Sequence, residues 1–374
     1  MAAILLAAGG TGGHLFPAQA LAEELGRRGH VVELATDERA DRYGQAFPAR
    51  KIHIVASATI RGRSPLALAR TAFALVRGVI QANGIISHLK PAAVVGFGGY
   101  PTLPPLMAAM LRRVPSVLHE QNAVVGRANR LLGRVATAVA ASFPESRHSE
   151  AFAAKLVHTG NPVRPAVLDV AAMPYDMPAA DGPFKLLVFG GSQGARFFSE
   201  ILPDAIAKLP EAARARLKLV QQCRPEDLDA VKSQYDALGL EVELAPFFTD
   251  LPARIAGSHL VICRSGASTV TELSVIGRPS ILIPFPHALD ADQATNAAVL
   301  QGAGGAEVID QKDLDAERLA SAIAERMADP EGLAAVAAAA KSTGRPDAVR
   351  RLADLVEHVA AGGRAQSVVF GEQS

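Results

Sequence analysis

The chain contains the same short device twice. Residues 3–8 form a continuous apolar run that breaks into GGTGGH (residues 9–14) ahead of a helix-like segment at 17–28. Residues 184–189, FKLLVF, break in the same way into GGSQGA (residues 190–195) ahead of another helix-like segment. A short apolar run bounded by glycine reads as a strand buried on both faces, as in parallel sheets. Glycine allows the sharp turn out of such a strand and brings backbone close to a ligand with no side chain in the way. Two such starts, half a chain apart, predict an α/β protein of two doubly wound, Rossmann-like domains facing across a cleft. The 374 residues suffice for two domains of ordinary size.

The segments between repeat the pattern. Strands are expected at 31–35, 51–56, 92–96, 116–118, 136–141 and 155–158, and then at 217–221, 242–245, 260–263, 281–283 and 307–309. A long helix is expected over 65–88, and GNPVR (residues 160–164) reads as the hinge between domains. Several function classes drop out. A dinucleotide fingerprint starting at Gly10 needs glycine where Leu15 stands. Neither a G-x-x-x-x-G-K-[ST] loop nor a G-x-S-x-G elbow occurs. The two cysteines, Cys223 and Cys263, have no metal spacing and imply no disulfide framework, which fits a reducing compartment. No apolar run approaches the ~18–20 residues that span a bilayer, and the N-terminus has no signal-peptide pattern. Asp290 and Asp292 form a D-x-D pair of the kind some sugar transferases use to hold a metal, but that device belongs to a single-domain fold that this chain does not suggest. No metal site and no cofactor are expected.

Net charge is +1, unevenly spread. Residues 1–163 hold 18 Lys and Arg against 9 Asp and Glu, and no acid occurs between Arg42 and His119. An acid-free basic stretch points to an anionic partner. Within the 65–88 helix and its approach, Arg63, Arg70 and Arg77 recur every seven residues beside an apolar stripe of Leu66, Phe73 and Ile80. Such a helix either lies on an anionic membrane surface or packs its apolar side on the sheet.

Three further places could carry chemistry. Gly98, Gly99 and Tyr100 form another glycine turn at the carboxyl end of a strand, where open α/β sheets bind ligands. His119, Glu120, Gln121 and Asn122 are four polar residues in a row after a buried strand. Ser265 to Glu272 starts a helix with small residues, exposing N–H groups suited to a diphosphate, with Glu272 in reach of ribose hydroxyls. Equally, Ser265 is a helix cap and Glu272 a dipole complement.

Together GGTGGHLFPA, GFGGYPTLP, LHEQNAVVGRAN, GNPVR, GGSQGAR, CRSGASTVTE and PFPHALDADQATNA, in that order from about residue 4 to about residue 350, resemble glycosyltransferase family 28. The resemblance is to its bacterial UDP-N-acetylglucosamine transferases, which make lipid II from lipid I. It implies the GT-B fold, with domains at 1–163 plus 343–374 and at 164–342, the last helix returning to the N-terminal domain. It implies His14 as acid/base residue; the alternative is that His14 orients the acceptor diphosphate, leaving Glu120 or no single residue as the base. Thr11, Gly12, Gly13, Asn122, Arg164, Ser192, Arg264, Ala267, Ser268, Thr269, Val270, Thr271, Glu272 and Gln293 fall at donor-binding positions. So does Phe248, where the family usually has an aliphatic residue that touches uracil through its backbone. Tyr100 and His119 fall on the acceptor side, and Arg63, Arg70, Phe73 and Arg77 on the membrane side. The implied partners are UDP-N-acetylglucosamine, the undecaprenyl-linked acceptor, an anionic membrane surface and other cell-wall synthesis proteins, with no nucleic acid. The implied location is the cytoplasmic face of the bacterial inner membrane. Rival readings are a glycolipid glucosyltransferase, a UDP-N-acetylglucosamine 2-epimerase, or a non-catalytic sugar-nucleotide-binding subunit. HEQN and GNPVR weigh against the first two, and His14 with the basic helix against the third.

Overall fold

The computed structural model describes residues 1–9, 12–38, 47–58, 64–191 and 196–370. They divide into two compact units, Met1–Arg164 with Pro346–Ser374, and Pro165–Arg345. Among the described residues the first unit has seven strands: β1 (Ala3–Ala7), β2 (Val31–Thr36), β3 (Lys51–Ile54), β4 (Ala93–Gly96), β5 (Ser116–Glu120), β6 (Ala138–Ala141) and β7 (Leu156–His158). They pair in parallel in the order β3-β2-β1-β4-β5-β6-β7. The helices are α1 (Gly12–Arg27), α2 (Pro65–Leu89), α3 (Leu103–Leu111) and α4 (Arg127–Val135).

Strand side chains alternate between faces, and here both faces are buried. Ile4 and Leu6 pack with Leu15, Leu21 and Leu25 of α1. Leu5 and Ala7 pack on the other face with Ala82 and Ile86 of α2, Leu106 of α3 and Leu132 of α4. This two-sided burial explains why the strands read as unbroken apolar runs. β3 is shorter than expected, because the Ala56 N–H leaves the sheet and donates to Gln81 Oε1 of α2 at 2.9 Å. Gly78 lets α2 come this close, since a Cβ there would lie 2.0 Å from the Ala56 carbonyl oxygen.

The second unit has six parallel strands among its described residues, in the order β10-β9-β8-β11-β12-β13. They are β8 (Phe184–Phe189), β9 (Leu217–Gln222), β10 (Val242–Ala245), β11 (Leu260–Cys263), β12 (Ser280–Leu282) and β13 (Ala306–Val308). Its helices are α5 (Pro165–Ala171), α6 (Arg196–Lys208), α7 (Glu211–Arg216), α8 (Leu228–Ala237), α9 (Leu251–Gly257), α10 (Ala267–Ile276), α11 (Asp292–Gly302), α12 (Ala316–Ala328) and α13 (Pro330–Ser342). One core joins Leu186 and Val188 to Phe198 and Leu202 of α6 and to Leu319 and Ile323 of α12.

The last helix, α14 (Ala348–Ala360), packs in the first unit. Leu352, Leu355, Val356 and Val359 are fully buried there against the α1 side of the sheet. Each such side chain contributes about 1.5–3 kcal/mol, against about 0–1 kcal/mol for a partly exposed ion pair. Apolar burial therefore holds α14, while Arg28, bonded to Asp354 at 2.7 Å and Glu357 at 2.6 Å, fixes its register on α1.

Candidate active site

In the first unit the candidate groups gather where β1, β4 and β5 end. His14 lies in the first turn of α1. A Cβ on Gly98 would lie 3.5 Å from its Cε1, and one on Gly99 3.4 Å from its Cδ2, so the ring packs on that glycine turn. The turn requires glycine, since Gly98 has φ 82° and Gly99 φ 75°. Thr102 Oγ1 locks it by donating to the carbonyls of Ala7 at 3.2 Å and Gly98 at 2.6 Å. Tyr100 begins the short 3₁₀ turn that follows and is half-buried. Gly12 is buried and Gly13 exposed at the start of α1. Thr11 lies outside the described residues.

His119 and Glu120 do not stand in a loop, as the sequence suggested, but are the last two residues of β5. Alternation sends them to opposite faces, and both are buried. His119 donates from Nε2 to the Gly160 carbonyl at 3.3 Å and accepts at Nδ1 from Gln121 Nε2 at 3.2 Å. Burial, with a smaller contribution from the nearby charge of His14, pushes its pKa down to about 4. It is thus a neutral imidazole at physiological pH.

Glu120 serves the loop that follows it. Oε1 accepts from the Asn122 N–H at 3.0 Å, and Oε2 from the Gly126 N–H at 2.9 Å and from Asn129 Nδ2 at 2.8 Å. Burial pushes its pKa up, opposed by these bonds. Asn129, on α4, was not singled out from the sequence, although it stands in the quoted LHEQNAVVGRAN stretch. Its amide meets both the Glu120 carboxylate and the Gly98 turn, where a Gly98 Cβ would lie 3.1 Å from Nδ2. Arg164 stacks over the ring of Phe16 at 4.9 Å, a contact that spacing could not reveal.

In the second unit β11 ends in Arg264 and Ser265, and α10 begins at Ala267. Ser265 Oγ does not cap α10. It donates to the Gln293 carbonyl at 2.9 Å, tying the start of α11 to the end of β11. Asn296 Nδ2 donates to the Ser265 carbonyl at 3.3 Å. The Gly266 cap has no side-chain hydrogen bond, so the first amides of α10, through Ser268 and Thr269, meet the general condition of a helix N-terminus suited to anions. Val270 is buried, Thr271 Oγ1 donates back to the Ala267 carbonyl at 2.8 Å, and Glu272 is buried one turn on. Gln293 Oε1 accepts from the Phe285 N–H at 3.0 Å.

Arg264 is buried, with its guanidinium donating to the carbonyls of Ile283 at 3.1 Å and Pro284 at 3.2 Å and to Gln311 Oε1 at 2.6 Å. The rings of Phe197, Phe198 and Phe285 lie within 5.5 Å. Among the described residues no carboxylate pairs with it, and burial pushes its pKa down to about 10. Phe248 is buried under the Arg254 guanidinium at 4.4 Å. Ser192 lies outside the described residues. Asp290 and Ala291 adopt left-handed φ values of 56° and 54° before α11, and Asp292 accepts from the Gln293 N–H. Among the described residues no group of three or more His, Cys, Asp or Glu is arranged to hold a metal.

One apolar side of α2 packs on the sheet, as the alternative expected, but Phe73 and Ile80 of the stripe are not on that side. Phe73 is 72% and Ile80 66% exposed, beside exposed Val76, Arg70 and Arg77. Small and medium residues, Gly78, Ala82 and Ile86, face inward. Arg63 lies outside the described residues. Among the described residues no helix is long and apolar enough to cross a membrane.

Known proteins agree with this architecture. The model of the glycosyltransferase family 28 N-terminal domain matches residues 4–141, and that of the C-terminal domain matches residues 185–352. The chain is 58% identical over 96% of both chains to the UDP-N-acetylglucosamine–N-acetylmuramyl-(pentapeptide) pyrophosphoryl-undecaprenol N-acetylglucosamine transferase of Chelativorans sp.. To the protein of the same name from Brucella canis it is 56% identical, over 99% of this chain and 97% of that one. The crystal structure of Acinetobacter baumannii MurG superposes with a TM-score of 0.77 at 30% identity, covering 96% of this chain and 99% of that one. With both halves matched by the family and near-full-length relatives above half identity, the chain belongs to glycosyltransferase family 28.

Proposed function

We propose that this chain is an inverting N-acetylglucosaminyltransferase. It moves the sugar from UDP-N-acetylglucosamine to the C4 hydroxyl of the N-acetylmuramyl unit of lipid I, giving lipid II for peptidoglycan synthesis. The observation that carries the reading is the near-full-length identity to relatives named for that donor sugar and that pyrophosphoryl-undecaprenol acceptor.

An α-linked donor and a β-linked product require in-line attack from the face opposite the leaving group. Charge grows on the departing UDP. The proposal meets it with the first amides of α10 and the carboxylate-free Arg264, protein groups already oriented before reaction. Glu272 takes the ribose, Phe248 the uracil through its backbone, and Gln293 the sugar hydroxyls. Thr11, Gly12, Gly13, Asn122, Arg164, Ser192, Val270 and Thr271 complete the donor contacts. On the acceptor side, with Tyr100, the attacking hydroxyl must lose a proton. We assign that to His14, because imidazole titrates near neutral pH. Glu120 is the weaker candidate: its oxygens already accept from Asn122, Gly126 and Asn129, so its role is to position that loop. His119, buried at the end of β5, ties that strand to the Gly160 carbonyl.

The acceptor is membrane-anchored, and α2 offers the means to reach it. Phe73, Val76 and Ile80 enter the interface while Arg70 and Arg77 meet anionic headgroups. On this reading the chain works as a peripheral protein at the cytoplasmic face of the inner membrane. The test incubates purified protein with radiolabelled UDP-N-acetylglucosamine and a lipid I analogue. Label must enter the lipid fraction in β linkage; a lipid fraction without label, or equal transfer from UDP-glucose, overturns the assignment.

A further inference from the structure

At the outer edge of the first sheet, β2, β3 and the last turns of α2 enclose a cavity of about 520 Å³. Its lining includes Glu33, Arg50, Lys51, His53, Gly84 and His88. Glu33 is the one carboxylate there, and both its oxygens are taken. Oε1 accepts from Arg50 Nε at 3.0 Å, and Oε2 meets His53 Nε2 at 2.7 Å. Burial opposes its ionisation, but the bonds from His53 and Arg50 win and hold its pKa low. Glu33 therefore fixes the Arg50 guanidinium in the wall of the recess. Lys51 and His88 are exposed, and among the described residues no acid pairs with either. Gly84 leaves the helix side of the recess open, since a Cβ there would meet nothing within 4 Å. The recess thus joins a guanidinium and an imidazole held by Glu33 to one unpaired ammonium and a second imidazole, around space for a small anion.

Its place on α2 identifies the anion's source. At about 100° per residue, Gly84 and His88 fall within about 60° of Phe73 around the helix axis, and Ile85 and Leu89, which also line the recess, at about 120° and 160°, so the recess opens on the flank of the helix beside the exposed stripe. At about 1.5 Å per residue the recess lies roughly 16–22 Å along the helix from Phe73. A helix lying on a bilayer with Phe73 and Ile80 inserted holds this flank at headgroup depth. We propose that the recess binds the phosphate of an anionic phospholipid headgroup, an inference that rests on the membrane-facing reading of α2.

The test sediments the full chain with vesicles of phosphatidylcholine alone and with one-third phosphatidylglycerol. Three proteins are compared: wild type, the recess variant K51Q/H88Q, and the stripe variant F73S/I80S. All four positions are exposed, so folding is undisturbed. The recess variant should lose about fivefold in affinity for the anionic vesicles, since a lysine near such a surface carries a several-fold effect. It should keep wild-type turnover on a water-soluble acceptor analogue. The stripe variant should bind both vesicle types more weakly. If wild type ignores anionic vesicles, the membrane reading fails and the recess proposal with it. If wild type binds and K51Q/H88Q binds equally well, the recess proposal alone is overturned. Titration with soluble glycerol phosphate separates the sources: displacement of wild type from vesicles at micromolar concentration makes the recess a site for free phosphate esters and overturns the lipid assignment.

Discussion

His119 gives the first unit a built-in sensitivity to acid whose size follows from its surroundings. The imidazole is fully buried in β5, and its pKa falls from an ordinary 6.5 to about 4. The unfolded chain therefore takes up a proton that the folded chain refuses between those two values. Stability is fully present above pH 6.5, declines as pH falls through the window, and is lost by the full amount below about 4. A shift of this size corresponds to about 3 kcal/mol in total, of which about 2 kcal/mol is lost by pH 5. The carboxylates with lowered pKa, Glu24, Glu33 and Glu357, act below their ordinary 4.5 and leave pH 5–7.5 clear. Glu120, raised by burial, acts with the opposite sign, so the quantity to compare is the difference between wild type and His119→Gln. Gln can still donate to the Gly160 carbonyl but does not titrate. The chain has no tryptophan, and two units need not unfold together. Hydrogen exchange at the β5 amides, read by mass spectrometry, is therefore the suitable assay. Between pH 7.5 and 5 the protection factor of wild type should fall about 30-fold, the equivalent of 2 kcal/mol, and that of His119→Gln by much less. Equal losses in the two proteins would refute the reasoning.

Two further outcomes follow from contacts described above. Glu120→Gln turns one buried acceptor into a donor that faces another donor, which costs about 1–3 kcal/mol of stability; the pH profile of kcat/KM should keep its acidic limb, whereas His14→Ala should lose about 10²–10⁴ in kcat, and a Glu120→Gln loss as deep as that of His14→Ala would move the base to Glu120. Gly78→Ala drives a methyl into the Ala56 carbonyl, so the first unit should lose about 1–3 kcal/mol, and an unchanged melting temperature would show that α2 does not need this close approach.

What the sequence revealed and what it hid divide along physical lines. Strands buried on both faces read as apolar runs, so β1, β8 and β11 and the glycine turns after the first two were visible. The long helix was visible as well, but not which side of it packs. Periodicity drew a stripe through Phe73 and Ile80, and the usual rule sends large apolar residues inward. Here Gly78 permits a close approach, and Gly78, Ala82 and Ile86 take the inward face instead. The partners of the candidate side chains were the least legible. Glu120 was visible as a carboxylate after a strand, but its donors come from Gly126 and Asn129, where the chain doubles back. Arg264 finds Gln311 far along the chain, a match no local pattern encodes.

The same long-range matching explains how α10 can be ready for an anion in the absence of one. Arg278, at its C-terminal end, is buried and donates to the carbonyls of Ile276 and Gly277 at 3.0 Å, of Ala256 at 2.7 Å, and of Pro174 at 3.1 Å. Lys341 donates to the carbonyl of Val275 at 2.9 Å and to that of Ala171. Two cations thus occupy the negative end of the helix dipole and also bind α5 and α9 to it. Neither has a carboxylate within ion-pairing distance among the described residues, and burial lowers the pKa of both. Burying a cation on carbonyls alone is an expensive way to anchor a helix, because several strong dipoles must replace its hydration. An acid in their place would tie up the positive charge. Arg264, built in the same carbonyl-bound way near the start of α10, keeps its own charge uncompensated by any carboxylate, and the partner that completes it under the proposed function is the pyrophosphate of the donor.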